Sequence, residues 1–272
     1  MTGDAGSRPH LLSITGSDPS GGAGLQADLK TFAAFGAYGM AAVTALTVQN
    51  TKGVSKVAPV AAALVAAQID AVFADIGVDA VKIGMLARPP TARAVAISLQ
   101  RGGARNIVLD PVLRATQGVD LSAAGLPQAV MAHLAPLATL ITPNLYEAAI
   151  LTGTAVARNA QDMEAQSRAL VSAGAKAALV KGGHLDGAPL DVLCLQGATR
   201  IFHGARVQTQ NAHGTGCALS SAIACLLARG RELEVAIEEA KRWLTQALAA
   251  GADMRLGAGA GSPDHLWACR RE

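Results

Sequence analysis

The sequence predicts an α/β fold in which a mostly parallel sheet lies between layers of helices. Short apolar runs rich in β-branched residues alternate with longer stretches of helical spacing, which is the pattern of strand–helix–strand repeats. Of the 272 residues, 51% are hydrophobic and only 3% are aromatic, so the core must be built mainly from Ala, Val, Leu and Ile. Such side chains suit close packing of helices on a sheet, and their abundance excludes a disordered chain.

The elements follow one another along the whole chain. Predicted strands cover residues 11–15, 41–48, 80–83, 106–109, 139–142, 177–180 and 192–195. Predicted helices cover residues 25–35, 60–73, 92–99, 144–151, 162–171, 218–227 and 233–248. No linker or repeat divides the chain, so we expect a flexible N-terminal segment, residues 1–10, and a single domain over residues 11–272. The Gly- and Ala-rich residues 257–262 predict a loop.

Charge, hydropathy and cysteine content exclude several classes of protein. The net charge of +3 provides no basic stripe for nucleic acid. Three uncharged runs, residues 31–51, 121–146 and 207–228, are long enough to span a membrane, but their Gly, Pro, Asn and Gln residues indicate buried α/β elements. The N-terminus has no signal-peptide core, so we expect a cytoplasmic protein without membrane or nucleic-acid partners. The four cysteines lack CxxC spacing, which favours neither a zinc site nor a disulfide framework.

Unusual residues follow six of the predicted strands. Because ligands of parallel sheets bind beyond the carboxyl ends of the strands, these residues are candidates for one shared site. They are the glycine-rich residues 16–24, Gln49 and Asn50, Gly84 and Met85, Asp110 and Pro111, residues 142–147, and residues 181–184. We therefore expect six strand ends to converge at one edge of the sheet.

The glycine-rich segment 16–24 partly fits two nucleotide-binding motifs. It lacks the Lys and Ser or Thr of a Walker loop, and no acidic residue follows at the next strand end, as dinucleotide binding requires. The segment is then either a turn that caps a helix through Asp18 or Ser20, or a backbone that approaches substrate. Four glycines in nine residues favour substrate contact, and Asp28, one helical turn further on, would face the same pocket.

Residues 213–217 read His-Gly-Thr-Gly-Cys and precede a predicted helix. A glycine turn that opens a helix presents free N–H groups and the positive end of the helix dipole, which suits a transferring phosphoryl group. We expect Gly214, Thr215 and Gly216 to form this anion site, with a tight turn that binds nothing as the alternative. The same field would favour the thiolate of Cys217 as acceptor of a hydroxyl proton, with a packing cysteine as the alternative.

Two further strand ends supply candidates for Mg²⁺ and phosphate. Asn144 and Glu147 share a face of a starting helix, which predicts a water or Mg²⁺ site, with a capping box as the alternative. Lys181 and Gly182 place a cation and a flexible backbone at the other strand end. This pair suits phosphate charge, and the alternative is a surface lysine.

Seven motifs together resemble those of a known enzyme family. In chain order they are Ser-Asp-Pro-Ser-Gly-Gly-Ala-Gly-Leu-Gln-Ala-Asp-Leu-Lys at 17–30, Thr-Ala-Leu-Thr-Val-Gln-Asn-Thr at 44–51, Lys-Ile-Gly-Met-Leu at 82–86, Asp-Pro-Val at 110–112, Thr-Pro-Asn-Leu and a following Glu at 142–147, Val-Lys-Gly-Gly-His at 180–184 and His-Gly-Thr-Gly-Cys at 213–217. They resemble the hydroxymethylpyrimidine/phosphomethylpyrimidine kinases of thiamine synthesis, members of the ribokinase-like superfamily. The resemblance extends from about residue 11 to residue 248.

The resemblance implies ATP-dependent phosphorylation of the hydroxymethyl group of 4-amino-5-hydroxymethyl-2-methylpyrimidine, and then of the monophosphate to the diphosphate. It also implies a ribokinase-like three-layer α/β/α fold, ATP and Mg²⁺ as cofactors, and a homodimer. Two other functions stay open: a pyridoxine or pyridoxal kinase of the same superfamily, and a non-catalytic sensor that binds the pyrimidine. The presence of Lys181, Glu147 and Cys217 together argues against the sensor.

On the substrate side, the resemblance assigns residues position by position. Gln49 would hydrogen-bond the aminopyrimidine, and Gly16, Asp28 and Met85 would form the rest of its pocket. Cys217 takes the position at which sugar kinases of the superfamily carry an Asp base. Residues 214–217 would form the anion hole.

On the phosphate side, the resemblance implies a set of charged and polar residues. Glu147 and Asp110 would bind Mg²⁺. Asn144, Lys181 and Gly182 would bind the nucleotide phosphates, and Lys181 would also neutralise charge during transfer, because phosphoryl transfer depends on positioning and charge stabilisation.

The chain departs from the family pattern at four places. They are Ala-Thr-Gln117-Gly at 115–118, Tyr146 in place of a usual Pro, Ala212 in place of a usual Thr, and Ala258 with Ala260 where Gly-His-Gly is common. The first three lie near the expected phosphate region, so they bear on the second phosphorylation and on the nucleotide pocket.

Overall fold

The computed structural model describes residues 8–114, 121–183, 185 and 187–269. Residues 1–7 of the predicted N-terminal segment, residues 115–118 with their departures, and His184 lie outside these ranges. The first strand begins at His10, one residue earlier than predicted.

Strands and helices alternate along the described chain. The strands are β1 (His10–Ser17), β2 (Tyr38–Asn50), β3 (Gly53–Pro59), β4 (Ala80–Ile83), β5 (Ile107–Leu109), β6 (Leu140–Ile141), β7 (Ala177–Lys181), β8 (Leu190–Leu195) and β9 (Ala198–His203). The helices are α1 (Gly24–Ala34), α2 (Ala62–Asp75), α3 (Pro89–Arg101), α4 (Leu126–Ala129), α5 (Leu145–Thr152), α6 (Ala160–Ser172), α7 (Thr215–Ala228) and α8 (Leu233–Ala250). A π-helical turn, Val130–Leu134, continues α4.

The described strands form a nine-stranded sheet in the order β3-β2-β1-β4-β5-β6-β7-β8-β9. The strands from β2 through β1 and β4 to β7 are parallel, and β3, β8 and β9 add antiparallel edges. The chain direction across the sheet reverses at β1, which pairs with β2 on one side and β4 on the other. Such a switch point opens a crevice beyond the carboxyl ends of the strands.

Helices cover both faces of the sheet and form two apolar cores. Along β1 the side chains alternate between them, with Leu11 in one core and Leu12 and Ile14 in the other. The first core includes residues of α1, α7 and α8, and the second includes residues of α2 to α6. The predicted three-layer arrangement is therefore present.

Among the described strands and α-helices, three elements were not predicted from the sequence. β3 and β9 lie at the two edges of the sheet, where half-exposed strands carry polar residues such as Lys56 and Arg200 and lack a continuous apolar run. The third is α4 with its π-helical turn, whose sequence contains Pro127. That proline lies in the first turn of the helix, where its missing N–H removes no hydrogen bond.

Among the described residues, no helix is long and apolar enough to cross a membrane. The uncharged run 31–51 contains the end of α1 and most of β2, and the run 207–228 ends in α7. Both runs are thus accounted for by elements of the layered domain.

Candidate active site

A cavity of about 890 Å³ lies beyond the carboxyl ends of the parallel strands, where the six predicted strand ends meet. Most of the predicted site residues line it, and they are Gly16, Gln49, Met85, Asp110, Asn144, Glu147, Lys181, Gly214, Thr215, Gly216 and Cys217. The sheet topology therefore brings residues from across the chain into one site.

Asp28 lies beneath the cavity and not in its wall, contrary to the prediction. Its fully buried carboxylate accepts hydrogen bonds from the hydroxyls of Ser13 (2.6 Å) and Ser221 (2.8 Å). It also forms an ion pair with Lys82 at 3.0 Å. Because α1 packs on the sheet, the face that carries Asp28 meets β1, β4 and α7. Asp28 therefore joins four elements under the site.

Gly182 also differs from its predicted role in phosphate binding. Its backbone N–H donates to the carbonyl oxygen of Leu190 (2.9 Å) and to Oδ1 of Asp191 (3.0 Å), so it is already used within the fold. Gly183, the next residue, lines the cavity instead.

The turn before α1, residues 16–24, is organised by the side chain of Asp18. Its carboxylate accepts hydrogen bonds from the N–H groups of Ser20 and Ala23, both at 2.9 Å. Burial by itself would raise the pKa of Asp18, but hydrogen bonds from His213 and from the turn lower it to about 2. The helix begins at Gly24 without a side-chain cap, so Asp18 stabilises the turn and does not cap the helix, which was the alternative interpretation of this segment.

Gln49 stands in a polar wall of the cavity with residues that the sequence did not connect to it. Its side-chain Nε2 is 3.1 Å from Nε2 of His213, and the same His213 nitrogen is 3.0 Å from Oδ2 of Asp18. The hydroxyl of Thr47 lies 3.2 Å from Oε1 of Gln49. All four side chains therefore form one hydrogen-bonded group at the substrate side.

The turn before α7 has an open helix start. Its N-cap residue, Gly214, has a left-handed backbone with φ of 79° and provides no side-chain cap. The N–H of Thr215 donates to the carbonyl oxygen of Ala212 at 3.4 Å. The first N–H groups of any helix lack acceptors within that helix, so those of Gly216 and Cys217 are the donors that could bind an anion here. A Cβ at Gly214 would lie 1.9 Å from the carbonyl oxygen of Gly22, so only glycine fits here.

A buried ion pair faces this helix start. Nζ of Lys181 is 2.7 Å from Oδ1 of Asp110, and Thr142 donates its hydroxyl to the same oxygen at 3.2 Å. Burial would lower the pKa of Lys181, but Asp110 and Glu147 raise it, so the lysine stays charged. A Cβ at Gly216 would lie 3.0 Å from Nζ of Lys181. The start of the helix and the ammonium group of Lys181 therefore lie close together.

Asn144 and Glu147 form the capping box that was the alternative reading, and they also line the cavity. The Asn144 side chain accepts from the N–H of Glu147 (2.9 Å), and the Glu147 carboxylate accepts from the N–H of Asn144 (2.8 Å). Burial raises the pKa of Glu147 to about 7, and Lys181 offsets part of this rise. The carboxyl group is therefore partly protonated near neutral pH when no ligand is bound.

Cys217 lines the cavity as a thiol, not as the thiolate predicted from the helix dipole. Burial raises its pKa to about 11, although the nearby Lys82 cation lowers it in part. Lys82 is fully buried, and Asp28 raises the pKa of its ammonium group above the usual value although burial opposes this. Lys82 begins the motif at 82–86 but was not predicted to be a site residue, because a buried lysine is rare.

Within the described residues, no group of three or more His, Cys, Asp or Glu side chains could hold a metal ion. The two carboxylates of Asp110 and Glu147 line the cavity beside Lys181. Such a donor set fits Mg²⁺, which uses few protein carboxylates and completes its coordination with water and phosphate oxygens.

The sequence matches the family model described as phosphomethylpyrimidine kinase over residues 18–264. The chain belongs to this family. It is 47% identical over 262 residues to the hydroxymethylpyrimidine/phosphomethylpyrimidine kinase of Salmonella typhimurium, covering 96% of this chain and 98% of that one. It is 44% identical over 262 residues to a thiamine biosynthesis bifunctional protein of Geobacter sulfurreducens, covering 96% of this chain and 53% of the longer protein.

A solved structure shares the fold of this chain. The pyridoxal kinase of Staphylococcus aureus in complex with ADP has a TM-score of 0.89 and 31% sequence identity, covering 98% of this chain and 97% of that one. The ribokinase-like fold predicted for the phosphomethylpyrimidine kinase family is thereby confirmed.

Two departures from the family pattern lie in the site itself. Tyr146 and Ala212 both line the cavity. The departures at Ala258 and Ala260 lie in the predicted loop. The glycines of this loop, Gly257 and Gly259, pack against Thr51. A Cβ at Gly259 would lie 1.9 Å from the carbonyl oxygen of Thr51.

Proposed function

We propose that this chain transfers the terminal phosphoryl group of ATP to the hydroxymethyl group of 4-amino-5-hydroxymethyl-2-methylpyrimidine, and then a second one to the monophosphate. The family membership supports the reaction. The observation that carries the site assignment is that the open start of α7 and the Asp110–Lys181 pair lie close together in the cavity that Gln49 also lines. Magnesium ion, a homodimer and a cytoplasmic location are further parts of the proposal.

Different residues of the cavity bind the pyrimidine ring and the transferred phosphoryl group. Gln49 and its hydrogen-bonded neighbours hold the ring, with Gly16 and Met85 as apolar contacts. The first N–H groups of α7 and the Lys181 ammonium stabilise the charge on the transferred group, and phosphoryl transfer depends chiefly on such stabilisation and on positioning. Asp110 and Glu147 would hold Mg²⁺, which supplies neutralisation of phosphate charge.

Cys217 acts at the acceptor hydroxyl. With a pKa of about 11 its sulfur carries a proton in the free protein at neutral pH, and the backbone N–H of Gly24 hydrogen-bonds it. A loose transition state for phosphoryl transfer places little demand on a general base. We therefore assign to Cys217 the orientation of the acceptor hydroxyl, and only secondarily the acceptance of its proton.

The test is a panel of acceptors with purified protein and Mg-ATP. ADP formation is measured with the pyrimidine alcohol, its monophosphate and pyridoxal, and again in the presence of EDTA. We expect both pyrimidine substrates to be phosphorylated and EDTA to abolish turnover. Lack of turnover with both pyrimidines would overturn the proposal, and tight binding without ATP consumption would instead identify a sensor.

Pyridoxal is included because the fold of a pyridoxal kinase overlays this chain closely. Side-by-side kcat/KM values decide between the two alcohols. A higher value for pyridoxal would make this chain a pyridoxal kinase within the same fold.

A further inference from the structure

The polar wall around Gln49 contains a conflict between hydrogen-bond donors. Nε2 of His213 lies 3.0 Å from Oδ2 of Asp18. A carboxylate only accepts hydrogen bonds, so this imidazole nitrogen must carry a proton. The amide nitrogen of Gln49, 3.1 Å from the same atom, is also a donor. Two N–H groups would thus face each other.

Turning the Gln49 amide over removes the conflict, and the oxygen and nitrogen of an amide are assigned by such networks. Oε1 then accepts from the N–H at Nε2 of His213, which it shares with Oδ2 of Asp18 in a three-centre hydrogen bond. Nε2 then donates to the hydroxyl of Thr47, whose own proton goes to the carbonyl oxygen of Ser17 at 3.0 Å. Each proton in the group has an acceptor in this arrangement, and one N–H and one lone pair of Gln49 are left for the cavity.

The imidazole that fixes this amide is itself held in place. Its Nε2 is bound by Asp18, whose carboxylate is anchored by the turn before α1. Its ring packs on Gly22, where a Cβ would lie 2.5 Å from Cδ2 of His213. The backbone N–H of His213 donates to the carbonyl oxygen of Gly261 at 2.9 Å.

An amide of fixed orientation distinguishes two kinds of heterocycle. An amino group beside a ring nitrogen presents a donor and then an acceptor, whereas the corresponding oxo compound presents an acceptor and then a donor. When the hydroxymethyl group must point to the transfer site, only one of these orders matches a fixed Gln49. An amide free to turn over would accept both.

We propose that Asp18 and His213 determine specificity by locking the Gln49 amide, so that the site accepts amino-substituted heteroaromatic alcohols and rejects their oxo counterparts. This inference rests on the proposed function, because it concerns the acceptor of that reaction. His213 and Asp18 are positioning residues that act through Gln49.

The test compares 4-amino-5-hydroxymethyl-2-methylpyrimidine with its 4-oxo analogue in wild type and His213→Ala. We expect the amino-to-oxo ratio of kcat/KM to fall by about tenfold or more in the variant, since a polar site rejects a mismatched partner strongly. The change should appear in KM for both compounds and much less in kcat. His213→Gln, which can donate to both neighbours, should restore most of the ratio.

Two controls keep the outcome interpretable. His203→Ala removes an exposed histidine of β9 and should leave the ratio unchanged. Gly22→Ala should reproduce the loss by displacing the imidazole, which provides a second route if His213→Ala does not fold. The proposed role of His213 would be wrong if the ratio were unchanged in folded His213→Ala. It would also be wrong if the ratio in His213→Gln were as low as in His213→Ala.

The lock and the proposed function can fail separately. If wild-type protein phosphorylates neither alcohol, the proposed function fails, and the lock is then tested by the ratio of Kd values from calorimetry in the same variants. If wild type is active and the ratio does not respond, the lock alone fails.

Discussion

The two glycine-rich turns of the cavity use their backbones in opposite ways. In the turn before α1, Asp18 accepts the N–H groups of Ser20 and Ala23, so these donors are consumed within the turn. In the turn before α7, Gly214 provides no side-chain cap, and the residues at the start of the helix line the cavity. The donors of the first turn are therefore used within the fold, whereas the start of α7 is the proposed anion site.

Glycine content alone does not distinguish these roles. What distinguishes them is a nearby carboxylate that satisfies the donors of one turn and is absent from the cap of the other. The start of α5 resembles the turn before α1, because Asn144 and Glu147 satisfy its backbone donors through a capping box. Changes to the open turn should therefore affect the rate of transfer most strongly.

The largest effect is expected for Gly214→Ala, because Gly214 lies where the two turns contact each other. Its Cβ would lie 1.9 Å from the carbonyl oxygen of Gly22, so the start of α7 must move away from the first turn. We expect kcat/KM to fall by about a hundredfold or more, as for loss of donors in an oxyanion hole. Steady-state kinetics with the pyrimidine alcohol measures this.

Gly230→Ala is the matched control. Gly230 follows the other end of α7 with a similar φ of 76°, but nothing lies within 4 Å of its added Cβ. The variant should cost about 1 kcal/mol of unfolding free energy and retain kcat. Equal losses of activity in the two variants would mean that backbone strain, and not the contact between the turns, limits the enzyme.

A second effect concerns the thiol at the open turn. With the pKa of Cys217 raised by burial to about 11, roughly a hundredfold less thiolate is present at mildly alkaline pH than for an ordinary cysteine. Iodoacetamide should label the exposed Cys269 well before Cys217, and labelling of Cys217 should increase with pH up to about 11. Mass spectrometry of peptides follows both sites in one sample. Fast labelling of Cys217 at neutral pH would restore the thiolate predicted from the helix dipole.

A smaller effect is expected for Gly216→Ala. The added Cβ would lie 3.0 Å from the flexible end of Lys181 and 3.9 Å from Oδ2 of Asp110, in a helix where alanine is favoured over glycine by about 1 kcal/mol. The variant should therefore be as stable as wild type or more so, while kcat falls by about tenfold because the ammonium group is displaced. Urea unfolding and kinetics on the same preparation test this. A stable variant with normal kcat would show that Lys181 need not approach the helix start.

The difference between the turns also shows what the sequence could predict. Parallel topology places every loop after a strand at one edge, so Gln49, Asp110 and Lys181 could be brought together from spacing alone. The pairing of Gln49 with His213 spans 164 positions and depends on how the two turns dock, which no local pattern encodes. Asp28 was misplaced for a related reason: helical spacing identifies a face but not whether the sheet or the cavity covers it.

Glu147 gives the mildest test, at the capped start of α5. Its folded-state pKa of about 7 lies above the ordinary value of 4.5, so its contribution to stability is complete below about pH 4.5 and is lost as the pH rises through 7. Glu147→Gln keeps a side chain that can complete the capping box but does not titrate. Relative to the variant, wild type should lose a few degrees of Tm between about pH 5 and pH 8. Parallel curves of Tm against pH for the two proteins would show that Glu147 ionises as easily in the folded as in the unfolded chain. The Glu147 carboxylate would then be fully charged beside Lys181 before any ligand binds.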